Sequence, residues 1–535
     1  MTDLPSDSGR RHWLRIGAGV AALSALPGAF AADASPRTTV ARVRSGRLGG
    51  TLDNGVHVFR GVPYGADTAT RRWQPALREA AWRGVRGAFE YGPSAPQRGS
   101  DGPGSEDCLR LNVWTPALRD GGRRPVLVYI HGGAFNTGSG SDPLYDGGAL
   151  CRSGDVVVIT VNHRLNVFGY LHLRDLGDAA FAHAGNVGQL DLVQALEWVR
   201  AHAAEFGGDA GNVTVFGQSG GGAKIATLMA MPAARGLFHR AWTMSGQQVT
   251  AAGPRAATQR AERFLDALGV APGDLDRLRT LPMQALLDAQ TVRDPSRVED
   301  SALYFGPVVD TVHLPRHPFW PDAPPQSAGI PMVIGNTRDE TRAFLGNDPD
   351  NFALGWDALP AKLRTQQFVD LDPAVVVAEY RRLYPDYTPS EVFFAATTAG
   401  RSWRGAVEEL EVRAAQGTNT WAYQLDWYPR TGEGERLRAF HTLDIPLVFG
   451  NTAVAGARTG DTAEARAVAA TMRDALLAFA RSGDPGHAGM PAWAPYSMAA
   501  RETMVFDSTP RLEDDPRGGE RRLYRQAPFV QRGTQ

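Results

Sequence analysis

The stretch that most constrains this chain is Gly217-Gln218-Ser219-Gly220-Gly221, set between an apolar run at 213–216 and a segment of helical character at 223–229. A Gly-x-Ser-x-Gly sequence joining a strand directly to a helix forces its serine into a sharp, strained turn. Glycines are needed two residues to either side, where any Cβ would collide with the neighbouring strand and helix. The serine hydroxyl then stands above a strand end, over a helix N-terminus that favours developing negative charge.

Short β-branched apolar runs recur at 126–130, 156–161, 213–216, 241–244, 332–334 and 421–425. Near-continuous apolarity over so few residues is what strands buried on both faces show. Between the second and third runs, Leu192, Leu196 and Val199 recur at helical spacing, and Gly207-Gly208 ends that helix. Alternating strand and helix predicts an α/β fold, a large, mostly parallel central sheet flanked by helices. Residues 39–43 and 55–61 predict a small N-terminal antiparallel β region. Residues 252–300 and 350–415, rich in Ala, Arg and Leu, predict helical insertions over the strand ends. No linker-like composition and no internal repeat divides the chain, so residues 32–535 read as one domain.

Composition excludes several classes of partner. With 21% charged residues and a net charge of -1, the chain has no electrostatic footprint for nucleic acid and no polybasic membrane patch. Its cations are nearly all arginine, with lysine only at 224 and 362. At the N-terminus, Arg10-Arg11 precedes a mild apolar segment at 16–26 and the small-x-small sequence Ala29-Phe30-Ala31. This predicts a twin-arginine-type signal peptide over residues 1–31 and export to the periplasm or medium. No later segment offers the roughly 18 apolar residues of a membrane span. Cys108 and Cys151 make no disulfide framework and read as two buried free thiols, with a single bridge between them as the alternative. No His-Glu-x-x-His, Cys-x-x-Cys or dinucleotide fingerprint appears, so neither a metal nor an organic cofactor is expected.

A serine hydroxyl is a poor nucleophile near neutral pH. It needs a base within about 3 Å, a third group to orient that base, and amide N–H groups aimed at the oxyanion. The run 126–130 leads into His131-Gly132-Gly133-Ala134-Phe135, where small residues let backbone amides face a reacting carbonyl. Gly133, Ala134 and Gly220 are therefore the candidate oxyanion donors, and His131 is expected to brace the loop. Asp339 and Glu340 follow the run at 332–334, at the sheet edge where catalytic loops gather. Twelve histidines compete for the role of base.

The sequence Glu106-Asp107-Cys108-Leu109-Arg110-Leu111-Asn112-Val113 resembles the E-D-C-L-x-L-N-V signature of type-B carboxylesterases, the family that also contains the cholinesterases. Asn162-His163-Arg164-Leu165 and the stretches 185–191 and 206–209 resemble further blocks, and the similarity runs from about Val43 to the C-terminal region. The resemblance implies an α/β-hydrolase fold and a serine carboxylic-ester hydrolase that works through an acyl-enzyme on a small-molecule ester. The family's acid falls on Glu340, with Asp339 as the alternative. Its F-H-x-x-E block falls on Phe440-His441-Thr442-Leu443-Asp444, which makes His441 the base. The order Ser219, Glu340, His441 is that of α/β-hydrolase triads. A thioesterase, amidase or acyltransferase would use the same groups, whereas non-catalytic binding members of the family lose triad residues that are all present here.

Four departures from the family pattern matter. Gln218 and Gly220 stand where the family usually has glutamate and alanine, and the lost charge at 218 implies a weaker preference for cationic alcohols. Thr341 replaces the glycine after the acid, which bears on local backbone geometry. Ala95 takes the place of the cysteine that bridges the E-D-C cysteine in many relatives, so that disulfide is absent. Ser245 resembles a family serine near the triad, with hydrogen-bonding and packing roles both open. Phe135, Tyr304, Phe305 and Phe344 are candidates either for pocket lining or for core.

Overall fold

The computed structural model describes residues 37–99, 104–177, 179–294 and 301–531. Among these, thirteen strands join one sheet. They are β1 (Arg37–Val43), β2 (Gly46–Asp53), β3 (Val56–Pro63), β4 (Val85–Gly87), β5 (Arg110–Thr115), β6 (Arg124–Ile130), β7 (Val157–Val161), β8 (Gly208–Gln218), β9 (Arg240–Met244), β10 (Met332–Thr337), β11 (Thr420–Leu425), β12 (Glu502–Phe506) and β13 (Arg511–Asp514). The order is β1-β2-β3-β5-β7-β6-β8-β9-β10-β11-β12-β13, with β4 beside β2. From β7 to β12 every neighbouring pair is parallel. The pairs β1-β2, β2-β3, β3-β5, β5-β7 and β12-β13 are antiparallel, whereas β4 runs parallel to β2.

Strand β6 shows why the apolar runs are continuous. Val126, Val128 and Ile130 enter one hydrophobic cluster, and Leu127 and Tyr129 enter another on the opposite face. Helices Val187–His202, Gly220–Ala230 and Arg404–Gln416 cover the first face through Leu192, Leu196, Ile225, Leu228 and Leu410. Helices Gly148–Gly154, Asp444–Phe449 and Ala463–Ser482 cover the second through Leu150, Val448, Met472 and Leu476. Period-2 alternation is therefore invisible in β6, because both sides of the pleat are dry.

The antiparallel region is continuous with the central sheet rather than a separate preface. Strand β5 bridges the two. Its buried Arg110 and Asn112 interrupt the apolar pattern by which a strand is read from sequence. Strand β2 escapes for a related reason, since its three glycines carry little β propensity. The helix at 187 ends at His202, and a 3-10 turn, Ala203–Phe206, follows it. Gly207, at φ 69°, closes that turn by donating to the carbonyls of Ala203 and Ala204. Gly208 belongs not to this stop but to the start of β8.

The first helical insertion comprises Pro254–Leu268, Asp276–Thr280 and Met283–Ala289, so described helicity ends short of residue 300. Its cluster unites Phe264, Leu278 and Leu286 with Trp73 and Phe135. The second comprises Leu359–Gln366, Pro373–Leu383 and Pro389–Thr398, then a π-turn, Ala399–Trp403, that runs into Arg404–Gln416. A capping box starts Pro389–Thr398: Thr388 Oγ1 accepts from the Glu391 amide at 3.3 Å, and Glu391 Oε2 accepts from the Thr388 amide at 2.8 Å. Residues 37–535 form one compact unit. The signal-peptide reading of residues 1–31 lies outside the described residues. Among the described residues, no helix is long and apolar enough to cross a membrane.

Candidate active site

Strand β8 stops at Gln218 and the next helix starts at Gly220, which leaves Ser219 alone at φ 56° and ψ -126°. A non-glycine residue there costs on the order of 1–3 kcal/mol and persists only where its surroundings over-determine it. They do here. Ser219 N–H donates to Met244 O at the end of β9 (2.7 Å), and Ser219 O accepts from the Ala223 amide (3.1 Å). A Cβ built on Gly217 would lie 2.7 Å from Ile130 O, and one on Gly221 only 1.9 Å from it, so the turn presses directly against β6. Ser219 is half-buried, and its hydroxyl makes no hydrogen bond among the described residues.

The loop after β10 carries Asp339 and Glu340, and their side chains part. Asp339 turns to Arg342 at 3.3 Å. Glu340 is fully buried, and its Oε2 accepts a hydrogen bond from His441 Nδ1. Its Oε1 accepts from the Thr337 amide (2.9 Å) and from Asn336 Nδ2 (3.3 Å). Backbone bonds zip the two loops together, Asp339 N–H to Ala439 O at 2.8 Å and His441 N–H to Glu340 O at 3.4 Å. Burial opposes ionisation of Glu340. The His441 imidazole and the Thr337 amide outweigh it and hold the carboxyl below its ordinary range.

An ionised carboxylate only accepts, so the proton between Glu340 and His441 belongs to Nδ1, and Nε2 of the neutral imidazole is then the acceptor with a lone pair. That lone pair faces Gln218, whose Nε2 lies 3.1 Å away. The side chain of Gln218 thus lies against His441, a contact the sequence did not disclose. The ring of Phe344, itself 50% exposed, lies 4.7 Å from that of His441 and flanks it at the surface. Behind the pair, buried Asp444 accepts from the Tyr423 hydroxyl at 2.8 Å, and burial followed by the charge on Glu340 pushes its carboxyl up to about 7.

The candidate oxyanion donors are aimed indirectly. In a trans peptide C=O and N–H point in opposite directions, so pinning a carbonyl aims the amide that follows it. Gly132 O faces His131 Nδ1 at 2.9 Å, which aims the Gly133 amide. Gly133 O accepts from the amides of Asn136 (3.1 Å) and Thr137 (3.0 Å), which aims that of Ala134. Ser219 O, held by Ala223, does the same for Gly220. None of the three amides donates to an acceptor among the described residues. Burial, with Lys224 nearby, holds His131 down at about 3, so its ring is neutral and braces the loop.

Two departures acquire a geometric meaning. A Cβ at 220 would stand 2.1 Å from Ala134 O, so the usual alanine does not fit this loop conformation. Thr341 sits at φ -76°, where no glycine is required, and its hydroxyl bonds Phe394 O at 3.0 Å. Phe135 and Phe305 are buried in the first insertion's cluster, with Tyr304 edging Phe135 at 6.5 Å. Cys108 and Cys151 are buried free thiols, and burial raises both well above their ordinary value. Among the described residues, no group of three or more His, Cys, Asp or Glu is placed to hold a metal ion.

Sequence reading passed over Asn336 and Lys224. Nothing local marks Asn336. For Lys224 there was a signal, a lone lysine inside the small and apolar run that follows the nucleophile candidate.

The chain matches the model of the carboxylesterase family over residues 37–523. It is 37% identical to the para-nitrobenzyl esterase of Bacillus subtilis over 489 residues, 89% of this chain and 96% of that protein. It is 35% identical to the phenmedipham hydrolase of Pseudarthrobacter oxydans, across 85% of this chain and 92% of the relative. The crystal structure of a Geobacillus stearothermophilus carboxylesterase superposes with a TM-score of 0.80 at 40% identity, covering 91% of this chain and all of the other. With that match spanning the sheet, both insertions and every loop described above, the chain belongs to the carboxylesterase family, with the α/β-hydrolase fold, and is a carboxylic ester hydrolase.

Proposed function

We propose that this esterase works by acyl transfer to Ser219, with His441 as base, Glu340 as its anchor and the amides of Gly133, Ala134 and Gly220 as the oxyanion hole. The observation that carries the reading is the bond from His441 Nδ1 to a buried, ionised Glu340, made across 101 residues at the same sheet edge as the strained Ser219. Ser219 Oγ attacks the ester carbonyl carbon, its proton passes to His441 Nε2, and the carbonyl electron pair moves onto oxygen, where the aimed amides receive it. The intermediate collapses as the carbon–alkoxy bond breaks and His441 returns the proton to the departing alcohol. Water, deprotonated by the same nitrogen, then attacks the acyl-enzyme and releases the acid. For Ser219 to engage Nε2, the Gln218 amide must yield its position, in keeping with catalytic hydrogen bonds that tighten only once substrate is bound.

The name of the Bacillus relative recommends p-nitrobenzyl and p-nitrophenyl esters as first substrates. A fluorophosphonate should add once per chain, on the peptide that carries Ser219. Ser219→Ala should abolish both labelling and turnover, and more than a trace of residual hydrolysis would remove Ser219 from the role. Residues 1–31 we read as an export signal. An N-terminal mass for the exported protein that begins upstream of residue 32 would refute that assignment.

A further inference from the structure

Lys224 is fully buried in the helix that starts at the nucleophile candidate, five residues beyond Ser219. Its neighbours along that helix, Ile225, Leu228 and Met229, are apolar core. Its Nζ donates to the carbonyl oxygen of His131 at 3.0 Å and lies 5.7 Å from the centre of the Phe135 ring. The ammonium therefore touches the loop 131–135 at both ends, the loop whose middle carries the Gly133 and Ala134 amides.

What it lacks is as informative. Burial lowers the ammonium to about 7, and among the described residues no carboxylate forms an ion pair with it. The two titratable rings nearby are neutral, with His131 held at about 3 and His163, stacked on it at 4.7 Å, well below its ordinary range. A buried cation without a counter-ion costs several kcal/mol, and a methionine of similar length would pack there without that cost. A group that destabilises the resting protein but gains a counter-charge when an oxyanion forms stabilises the transition state more than the ground state.

We propose that Lys224 is a positioning residue for the oxyanion loop. It fixes the His131 carbonyl at the loop's entry and, in its protonated form, holds against the loop a positive charge that no carboxylate among the described residues pairs and that a developing oxyanion balances. The inference rests on the reading that Ser219 and the loop amides form the reaction centre.

Lys224→Met tests it, compared with wild type for p-nitrophenyl butyrate turnover, for inhibition by an alkyl trifluoromethyl ketone (a serine adduct with an anionic oxygen) and for inhibition by butyrate. Losing one oxyanion-hole donor costs about 10²–10³ in kcat, and a group one carbonyl removed should cost about 10–100-fold. The ketone should weaken by the same factor, while KM and butyrate inhibition stay within about twofold and the melting temperature does not fall. Should Lys224→Met not fold, Lys224→Gln, neutral yet still a donor, is expected to show the same kinetic split. The proposal is overturned if kcat and ketone affinity remain within about threefold of wild type in the folded variant. It is equally overturned if kcat, KM and melting temperature decline together while ketone and butyrate weaken alike, the mark of a structural role. Failure of the wild-type protein to label at Ser219 would instead remove the reaction-centre reading, and this inference with it.

Discussion

Replacing Glu340 by glutamine should do more than delete a charge. The Oε1 position receives two donors, the Thr337 amide at 2.9 Å and Asn336 Nδ2 at 3.3 Å, so only an oxygen is tolerated there. The side-chain NH2 of a glutamine is thereby directed to the other position, facing His441 Nδ1. That nitrogen must then accept, and the ring proton moves to Nε2, where it blocks receipt of the serine proton. Restoring the productive tautomer requires turning the amide so that its NH2 meets those two donors in a buried site. At about 1–3 kcal/mol per unsatisfied buried group, the two clashes come to about 2–6 kcal/mol, a population loss of about 30- to 10⁴-fold. Lost stabilisation of the imidazolium adds to this, so kcat should fall by about 10³–10⁵. The assay is turnover of p-nitrophenyl butyrate normalised to the folded fraction from near-ultraviolet circular dichroism. Asp339→Asn serves as control and should stay within about twofold, because that carboxylate turns away to Arg342. Glu340→Gln within about tenfold of wild type would refute the tautomer argument.

Three further outcomes follow from the same geometry. Gln218→Glu sets a carboxylate against His441 Nε2, now 3.1 Å from the amide nitrogen. It stabilises the imidazolium, so the acid limb of the kcat/KM–pH profile should move up by about one unit or more, and an unmoved limb would show that the contact does not exist in solution. Gly221→Ala drives a methyl to 1.9 Å from Ile130 O, a backbone atom of a central strand, and should cost about 2–4 kcal/mol in urea unfolding along with most activity. A variant as stable as wild type would contradict the close approach. Burial, against the Gln248 amide and Arg413, pushes Glu409 up to about 8 from an ordinary 4.5. The native chain therefore holds a proton that the unfolded chain releases between those values, and wild-type stability falls as pH rises through the window. Glu409→Gln should remove that slope and gain on wild type by up to about 5 kcal/mol above pH 8, a gain that parallel unfolding curves at pH 5 and pH 9 would disprove.

The elements legible from sequence are those whose physics is local. The turn at Ser219 depends on residues within two positions of it, and the strands β6 to β11 announce themselves through short, near-continuous apolar runs. Gly133, Ala134 and Gly220 follow from small residues placed where a strand gives way to a loop. Glu340 and His441 became visible through long family motifs rather than through any pattern of their own. Where polar residues or glycines broke the pattern, as in β5 and β2, the strands stayed hidden although their backbones pair like the rest.

Tertiary structure decided what happens between distant segments. It sends Asp339 to Arg342 and Glu340 to His441, a choice between adjacent carboxylates set by the rotation of one loop against another. It brings Gln218 to His441 across 223 residues and the ammonium of Lys224 to His131 across 93. Such contacts depend on strand register and helix rotation, which place side chains to within an ångström. Residue type fixes what a group can donate or accept, whereas only the packed sheet determines which group it meets.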